Sequence, residues 1–339
     1  MNGLPYLCRF KNETQMYRIG LDVGSTTIKT IVLDESGRIV YSRYERHHAK
    51  IQEKLLALLS DIRTRLGDAE VTLRLTGSVG MGIAERCSLP FVQEVVAATN
   101  YIARNHREVS TLIDIGGEDA KVVFFDGGLD ERMNGTCAGG TGAFIDQMAI
   151  LLNVTPDELG TLALNATHIY PIASRCGVFS KTDIQNLIAK NACKEDIAAS
   201  IFHAVAVQVI VTLAHGCDIT APLLFCGGPL TFLPALRKAF TDYLQLSPDE
   251  VVLPEDSHLI PAWGSALSEE DSQPVRLSSL SDSINRHLSV TYQPAESLEP
   301  IFSDDDDYHR WKERISQSPI REGSLRPGVE EVTLGIDSG

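Results

Sequence analysis

The chain has 339 residues, of which 43% are apolar, so it is long enough to fill the cores of two domains. A net charge of -15 would repel a phosphate backbone, and we therefore do not expect nucleic acid as a partner. The longest apolar stretch, residues 204–214, is far shorter than the roughly 20 residues of a membrane span. Residues 1–17 also lack the apolar core of a signal peptide. These features predict a cytoplasmic protein without a membrane anchor.

The first predicted elements are a strand at residues 17–22 and a return strand at residues 28–33, joined by a glycine turn. The turn would bring its amides and hydroxyl groups close to a phosphate. Asp22, at the end of the first strand, could hold Mg2+ through water, and Lys29 could add a positive charge. The candidate phosphate-binding residues of this turn are Gly24, Ser25, Thr26 and Thr27.

A similar strand and turn recur at residues 111–121, followed by a strand at residues 122–125. Here Asp114 ends the strand, and Gly116 and Gly117 form the turn. One hairpin of this kind is more often structural than functional. Two of them, separated by a helical stretch, favour a pair of phosphate-binding turns.

Two cysteines lie downstream of these turns, each in a run rich in glycine or hydroxyl groups. Cys137 is followed by Gly139, Gly140 and Thr141, and by a predicted helix at residues 142–152. Cys176 lies within residues 172–180. The amides and dipole of the predicted helix would stabilise an anionic cluster beside Cys137. The pair predicts half of a redox metal site.

A third glycine element ends an apolar strand at residues 223–229. Gly227 and Gly228 would suit flat contact with an adenosine group. The chain lacks the pattern G-x-x-x-x-G-K-[ST], which excludes a P-loop as the phosphate site.

Residues 268–332 are rich in serine and acidic residues and are predicted to be a solvated linker with little core, containing a short helix at residues 308–315. After this segment, residues 334–339 repeat the glycine and aspartate pattern of residues 19–24. We therefore expect a second copy of the domain to begin at residues 333–339, as part of a longer parent protein.

The three glycine elements, in this order, resemble the superfamily of acetate and sugar kinases, heat-shock chaperone ATPases and actin. The resemblance implies an α/β fold with two related actin-like (ribonuclease H-like) domains and with ATP and Mg2+ in the cleft between them. Asp22 and Asp114 would flank the metal and the attacking water. Glu118 would be a third catalytic residue, a carboxylate near the γ-phosphate where the family usually has glutamine. The implied segments are an N-terminal extension (1–17), a first subdomain (18–110), a second subdomain carrying the cysteines (111–261) and a closing helix that packs on the first (262–267).

Within that superfamily, the runs around Cys137 and Cys176 resemble the ATPase activators of 2-hydroxyacyl-CoA dehydratases and the related benzoyl-CoA reductase subunits. The resemblance implies that both cysteines bind one [4Fe-4S] cluster shared between two subunits. It also implies that ATP hydrolysis drives one electron from a low-potential donor to an acyl-CoA dehydratase or reductase. Such a cluster needs four thiolates, and no run here has four neighbouring cysteines, so either a homodimer or a second module would complete it.

Two alternatives stay open from the sequence: a small-molecule kinase of the same fold, and an ATP-binding conformational module without a cluster. No C-x-x-C pattern is present, and a disulfide framework fits poorly. The remaining cysteines are interpreted as packing residues, namely Cys8, Cys87, Cys193, Cys217 and Cys226. The histidines show no ligand spacing and are assigned no function.

Overall fold

The computed structural model describes residues 16–135, 138–268, 272–289 and 298–316, together with residues 328 and 335. Cys8, Cys137 and most of the predicted second repeat at residues 333–339 lie outside the described residues. The chain divides near residue 290 into a large unit and a small unit.

Ten strands are described: β1 (Met16–Val23), β2 (Thr27–Leu33), β3 (Ile39–Arg46), β4 (Glu70–Thr76), β5 (Thr111–Ile115), β6 (Ala120–Phe124), β7 (Asp130–Met133), β8 (Leu223–Cys226), β9 (Val251–Val252) and β10 (Val275–Arg276). The α-helices of the large unit are α1 (Ile51–Leu66), α2 (Ser78–Cys87), α3 (Glu94–Asn105), α4 (Gly142–Leu151), α5 (Pro156–Ala163), α6 (Gly177–Ala189), α7 (Lys194–Leu213), α8 (Gly228–Phe232), α9 (Pro234–Leu244), α10 (Ile260–Leu267) and α11 (Leu277–Leu288).

The strands form two five-stranded sheets in which four strands have matching topology, whereas the fifth differs: β10 is antiparallel to β4, and β9 is parallel to β8. The first sheet has the order β10-β4-β1-β2-β3, and the second has the order β9-β8-β5-β6-β7. In each sheet the central strand, β1 or β5, pairs antiparallel with the next strand of the chain and parallel with a strand that follows a long crossover. The predicted α/β fold with two related domains is confirmed.

The register places equivalent residues at equivalent points of the two sheets. Asp22 of β1 lies opposite Lys29 of β2, and Asp114 of β5 lies opposite Lys121 of β6. All four side chains are buried. A buried charge requires a nearby opposite charge. Lys29 forms its ion pair with Asp22 itself, whereas Lys121 forms its ion pairs with Glu94 and Asp119.

A third core lies between the two sheets and joins them. It contains Ile31 from the first sheet and Val123 from the second, together with Ala98 of α3 and Ala262 of α10. Helix α10, which covers the segment predicted to close the domain, packs against α3 and β1. These two helices therefore separate the sheets and set the space between the glycine turns.

Residues 275–288 correct the prediction of a linker. Strand β10 pairs with β4, and α11 buries Leu277, Leu280 and Ile284 in the core of the first sheet. The serines of α11 lie between these apolar positions. Their spacing of three and four residues is that of an amphipathic helix, so the segment is part of the domain.

Among the described residues, one helix, α7, is long and apolar enough to cross a membrane. However, 67% of its apolar window is buried inside the protein, as expected for the core helix of a folded domain. It contacts α5, α6 and α9 in the second half of the chain.

The small unit contains helix α12 (Asp305–Ser316), which includes the short helix expected at residues 308–315. The rings of Phe302, Tyr308 and Trp311 cluster on this helix, with centroids 5.4 Å apart for Phe302 and each of the other two.

Replacing Ile284 by alanine tests whether α11 belongs to the domain. The side chain is fully buried, so Ile284→Ala should lower the free energy of unfolding by about 2–4 kcal/mol in urea denaturation. The matched variant Ile315→Ala, on α12, removes a side chain that is 54% exposed and should change stability by less than about 0.5 kcal/mol. If the two variants lowered the free energy of unfolding by equal, small amounts, α11 would lie outside the cooperatively folding core.

A second test concerns Gly227, which begins α8 with a φ of 89°. An added Cβ would lie 2.6 Å from Asp114 Oδ1, so alanine adds a steric clash to an unfavourable φ. Gly67 also has a positive φ, 70°, but no described atom lies within 4 Å of its added Cβ. Gly67→Ala should cost about 1–3 kcal/mol of unfolding free energy. Gly227→Ala should cost at least about 1 kcal/mol more, and equal losses in urea denaturation would contradict the close packing on Asp114.

Candidate functional site

The first glycine turn is held by a histidine that follows β3. Gly24 donates its backbone N–H to Thr27 O over 3.0 Å, which closes the turn. His47 Nδ1 accepts a hydrogen bond from the Ala49 amide, so its Nε2–H donates to Gly24 O at 3.1 Å. The His47 amide also donates to Thr26 O. Sequence analysis assigned His47 no function, because its contact with the turn depends on the pairing of β3 with β2.

The second glycine turn touches the first. Gly116 N donates to Asp119 O over 2.8 Å, and the adjacent Gly117 faces Thr26 of the first turn. A Cβ on Gly117 would lie 2.8 Å from Thr26 Cγ2. The predicted phosphate turns are thus in contact. Gly117 permits this approach because glycine has no Cβ to clash with Thr26. Glu118 is exposed in the same turn.

Asp22 and Lys29 form a buried ion pair at the end of β1. Lys29 Nζ lies 2.7 Å from Asp22 Oδ2. Although burial lowers the pKa of Lys29, the nearby carboxylates, above all that of Asp22, outweigh it and raise the pKa above its usual value. Asp22 Oδ1 is buried and has no hydrogen-bond partner among the described residues. A buried oxygen of this kind suits a cation or its water shell.

Asp114 and Lys121 take the equivalent places in the second sheet. Burial raises the pKa of Asp114 in spite of the attraction of Lys121 and Lys29. Burial lowers the pKa of Lys121, but Glu94, Asp114 and Asp119 together raise it well above its usual value. Both lysines are therefore charged and bound to carboxylates.

Glu94 is a third carboxylate at this centre, and sequence analysis missed it. It is the first residue of α3, and its Oε2 lies 2.9 Å from Lys121 Nζ across the space between the sheets. Burial, reinforced by Asp22 and Asp114, raises the pKa of Glu94 to about 7, even though Lys121 attracts its charged form. No motif surrounds Glu94 in the sequence, so only the crossing of α3 between the sheets brings it here.

The third glycine element lies beside a cavity of about 640 Å³. Gly228 faces the hydroxyl group of Tyr44, whose ring packs against Phe232 with centroids 5.4 Å apart. The cavity shares lining residues with a smaller chamber of about 40 Å³ next to both glycine turns. The shared residues are Tyr44, Arg46, Gly142, Asp146, Gly228 and Pro229. A chamber between phosphate turns, continuous with a larger partly apolar cavity, has the layout of a nucleotide site.

The glycine run after Cys137 is hydrogen-bonded to the second phosphate turn. Gly142 N donates to Gly116 O over 3.0 Å, and Ala143 N donates to Gly117 O over 2.7 Å. These residues begin α4, so the helix starts directly behind the turn. Gly139 and Gly140 precede it, and Thr141 is its N-cap.

The turn of Cys176 packs against the same run. Cys176 is half-buried and is the N-cap of α6, where its carbonyl accepts a hydrogen bond from Ser180 N over 2.9 Å. A Cβ on Gly177 would lie 3.6 Å from Gly139 Cα, so the two backbones are neighbours. The described residues place Cys176 close to the segment that follows Cys137, whereas Cys137 itself lies outside them.

Within the described ranges, no group of three or more His, Cys, Asp or Glu residues could hold a metal ion. Cys176 therefore could not hold a [4Fe-4S] cluster by itself, because such a cluster takes four thiolates. The other described cysteines differ in burial. Cys87 and Cys226 are buried and Cys217 packs partly buried against the core of the second sheet, as predicted for packing residues, but Cys193 is exposed, which corrects that interpretation. It lies before α7, where its thiol donates to Glu195 Oε2 at 2.7 Å.

The chain is similar in sequence to known proteins. A sequence model of the BadF/BadG/BcrA/BcrD ATPase family matches residues 19–268. A 2-hydroxyisocaproyl-CoA dehydratase activator of Clostridioides difficile is 29% identical over 74% of this chain and 94% of its own length. An (R)-2-hydroxyglutaryl-CoA dehydratase activating ATPase of Acidaminococcus fermentans is 32% identical over 63% of this chain and 83% of its own length.

A solved structure of the activator of the 2-hydroxyisocaproyl-CoA dehydratase from Clostridium difficile, with bound ADPNP, is 27% identical to the chain. It superimposes with a TM-score of 0.63 over 83% of this chain and 100% of its own. The family match covers all three glycine elements, the second sheet, and the first sheet except for β10 and the first three residues of β1. The chain is an ATPase that belongs to the BadF/BadG/BcrA/BcrD ATPase family.

Proposed function

We propose that this ATPase is an ATP-dependent one-electron donor that activates an acyl-CoA dehydratase or a related reductase. The observation that carries the proposal is the pair of hydrogen bonds from Gly142 and Ala143 to the second phosphate turn. They connect the nucleotide chamber to the glycine run that follows Cys137 in the sequence, and this run packs on the turn of Cys176. The relatives named as dehydratase activators support the same function.

In this proposal the phosphates lie between the two glycine turns and the adenosine group occupies the larger cavity. The amides of both turns would bind phosphate oxygens, as in other backbone-lined anion sites. The orphaned Asp22 Oδ1 and the carboxylate of Asp114 would hold Mg2+ through water. Lys29 and Lys121 would compensate the charge of these carboxylates when the nucleotide is absent.

Glu94 is the best general base that the described residues offer. With a pKa of about 7 it can accept a proton near neutral pH, even though its carboxylate, like that of Asp22, is ion-paired with a lysine. Glu94 does not line the smaller chamber, so in this proposal it acts on a water that lies between α3 and the phosphates. Glu118, which sequence analysis predicted to be catalytic, is exposed and stays a prediction.

Cys137 and Cys176 would bind half of a [4Fe-4S] cluster, which would supply one-electron transfer when bound. A second subunit or a second module of the parent protein would provide the other two thiolates. Val178 and Phe179, directly after Cys176, are 72% and 66% exposed. Apolar side chains exposed beside an incomplete site suit a protein interface, and we expect a homodimer there. The free thiols also suit the reducing cytoplasm.

The role of Glu94 predicts a pH dependence. The group is protonated below its pKa and cannot accept a proton there, so the ATPase rate should rise with pH and level off above about 7. Glu94→Gln should lower the rate by about a hundredfold and remove the inflection. Glu53→Gln, on an exposed face of α1, should leave the profile unchanged. An unaltered inflection in the Glu94 variant would assign the pH dependence to another group.

The cysteine assignment predicts an iron phenotype. After anaerobic reconstitution, the intact protein should hold about four irons and four sulfides per two chains and absorb broadly in the visible range. Cys176→Ala and Cys137→Ala should each lose most of the iron, because a cluster short of two of its four thiolates is unstable, while the exposed Cys193→Ala should keep it.

The reconstituted protein and its cysteine variants also distinguish the electron donor from a kinase and from a conformational module. ATP hydrolysis coupled to electron transfer requires iron, whereas a kinase would transfer phosphate to a small molecule whether or not Cys176 is present. A conformational module would bind nucleotide without either property. Colourless protein after reconstitution would contradict the electron-donor proposal.

A further inference from the structure

An ion pair at the mouth of the nucleotide chamber links the two subdomains. Arg46, the last residue of β3, pairs in register with Thr27 of the first phosphate turn. Its guanidinium contacts Asp146 of α4, with Nη1 2.7 Å from Oδ2 and Nη2 3.2 Å from Oδ1. The pair is therefore bidentate and joins the first sheet to the helix that begins behind the second phosphate turn.

Arg46 and Asp146 line both the larger cavity and the smaller chamber. A nucleotide that spans the two spaces must pass this pair. Of the described residues that line the chamber, two are cationic, Lys29 and Arg46. Lys29 is buried against Asp22, whereas the Arg46 side chain is 51% exposed and can change partner at little cost.

We propose that Arg46 is a phosphate ligand of the nucleotide and that it leaves Asp146 in order to bind. The inference rests on the proposed nucleotide site. Its chemistry is an exchange of anions: a planar guanidinium binds a phosphate through the same two N–H groups that bind a carboxylate. Binding of the nucleotide then releases the ion pair between the subdomains. Asp146 lies on the helix that follows the glycine run of Cys137, so phosphate occupancy is transmitted to that run.

The test compares ADP with adenosine by calorimetry on the intact chain and its variants. Arg46→Gln should weaken ADP binding by about tenfold, the usual loss for one charge-assisted contact. Adenosine has no phosphate, and its affinity should stay within about twofold of the unmodified protein. Asp146→Asn removes the carboxylate that competes with phosphate for Arg46. It should therefore strengthen ADP binding by about two- to fivefold.

The double variant Arg46→Gln with Asp146→Asn is decisive. If Arg46 only neutralises Asp146, removal of both charges restores the ADP affinity of the unmodified protein. If Arg46 binds phosphate, the double variant stays several-fold weaker than the unmodified protein for ADP and unchanged for adenosine. A control double variant, Lys238→Gln with Asp242→Asn, removes an exposed ion pair on α9 and should change neither affinity.

The outcomes separate this inference from the proposed function. ADP affinity of the double variant equal to that of the unmodified protein would overturn the inference and leave the nucleotide site standing. Failure of the unmodified protein to bind ADP or ATP would overturn both. An equal loss of ADP and adenosine affinity in Arg46→Gln would show that the pair only shapes the cavity, which also contradicts a phosphate ligand.

Discussion

Two buried aspartates, one at the end of each central strand, are the constraint on which the rest of this structure depends. Charged carboxylates out of water are unfavourable unless cations lie beside them, and each aspartate faces a lysine on the neighbouring strand. Glu94 enters the same centre from α3 and binds Lys121 of the second sheet. The charges of one half are therefore balanced by groups from the other, which ties the electrostatics of the site to the spacing of the sheets.

Glycine determines how closely the parts of this centre approach. Gly77 and Gly227 begin equivalent helices with φ values of 90° and 89°, and each lies against the aspartate of its own sheet. Gly117 lets the two phosphate turns touch, and Gly177 lies beside Gly139. Contacts thus run from the Thr26 side chain of the first phosphate turn, through the backbone hydrogen bonds behind the second, to the turn of Cys176. Because these contacts move with the segments that make them, this path can couple closure of the cleft to the cysteines.

Local patterns were sufficient for much of the fold and of the site. The two hairpins, their aspartates and glycines, and the helix after Cys137 were predicted from residues adjacent in the chain. Glu94, His47 and Arg46 could not be predicted, because each reaches the site through strand pairing or helix crossing over long sequence distances. Helix α11 was different. Its stripe of Leu277, Leu280 and Ile284 was visible in the sequence, but the serines and acidic residues around it favoured a linker.

One nucleotide that bridges the two glycine turns and the third glycine element should protect all three from hydrogen exchange. Exchange is measured with and without Mg2+ and a non-hydrolysable ATP analogue. The analogue should slow exchange at residues 24–27, 116–119 and 227–228 together. Protection of one turn without the others would contradict it. Pro229 has no amide hydrogen, so residues 227 and 228 report on the third element. Protection confined to the separate cavity of about 640 Å³ that His203 and Tyr243 line would also contradict a bridging nucleotide.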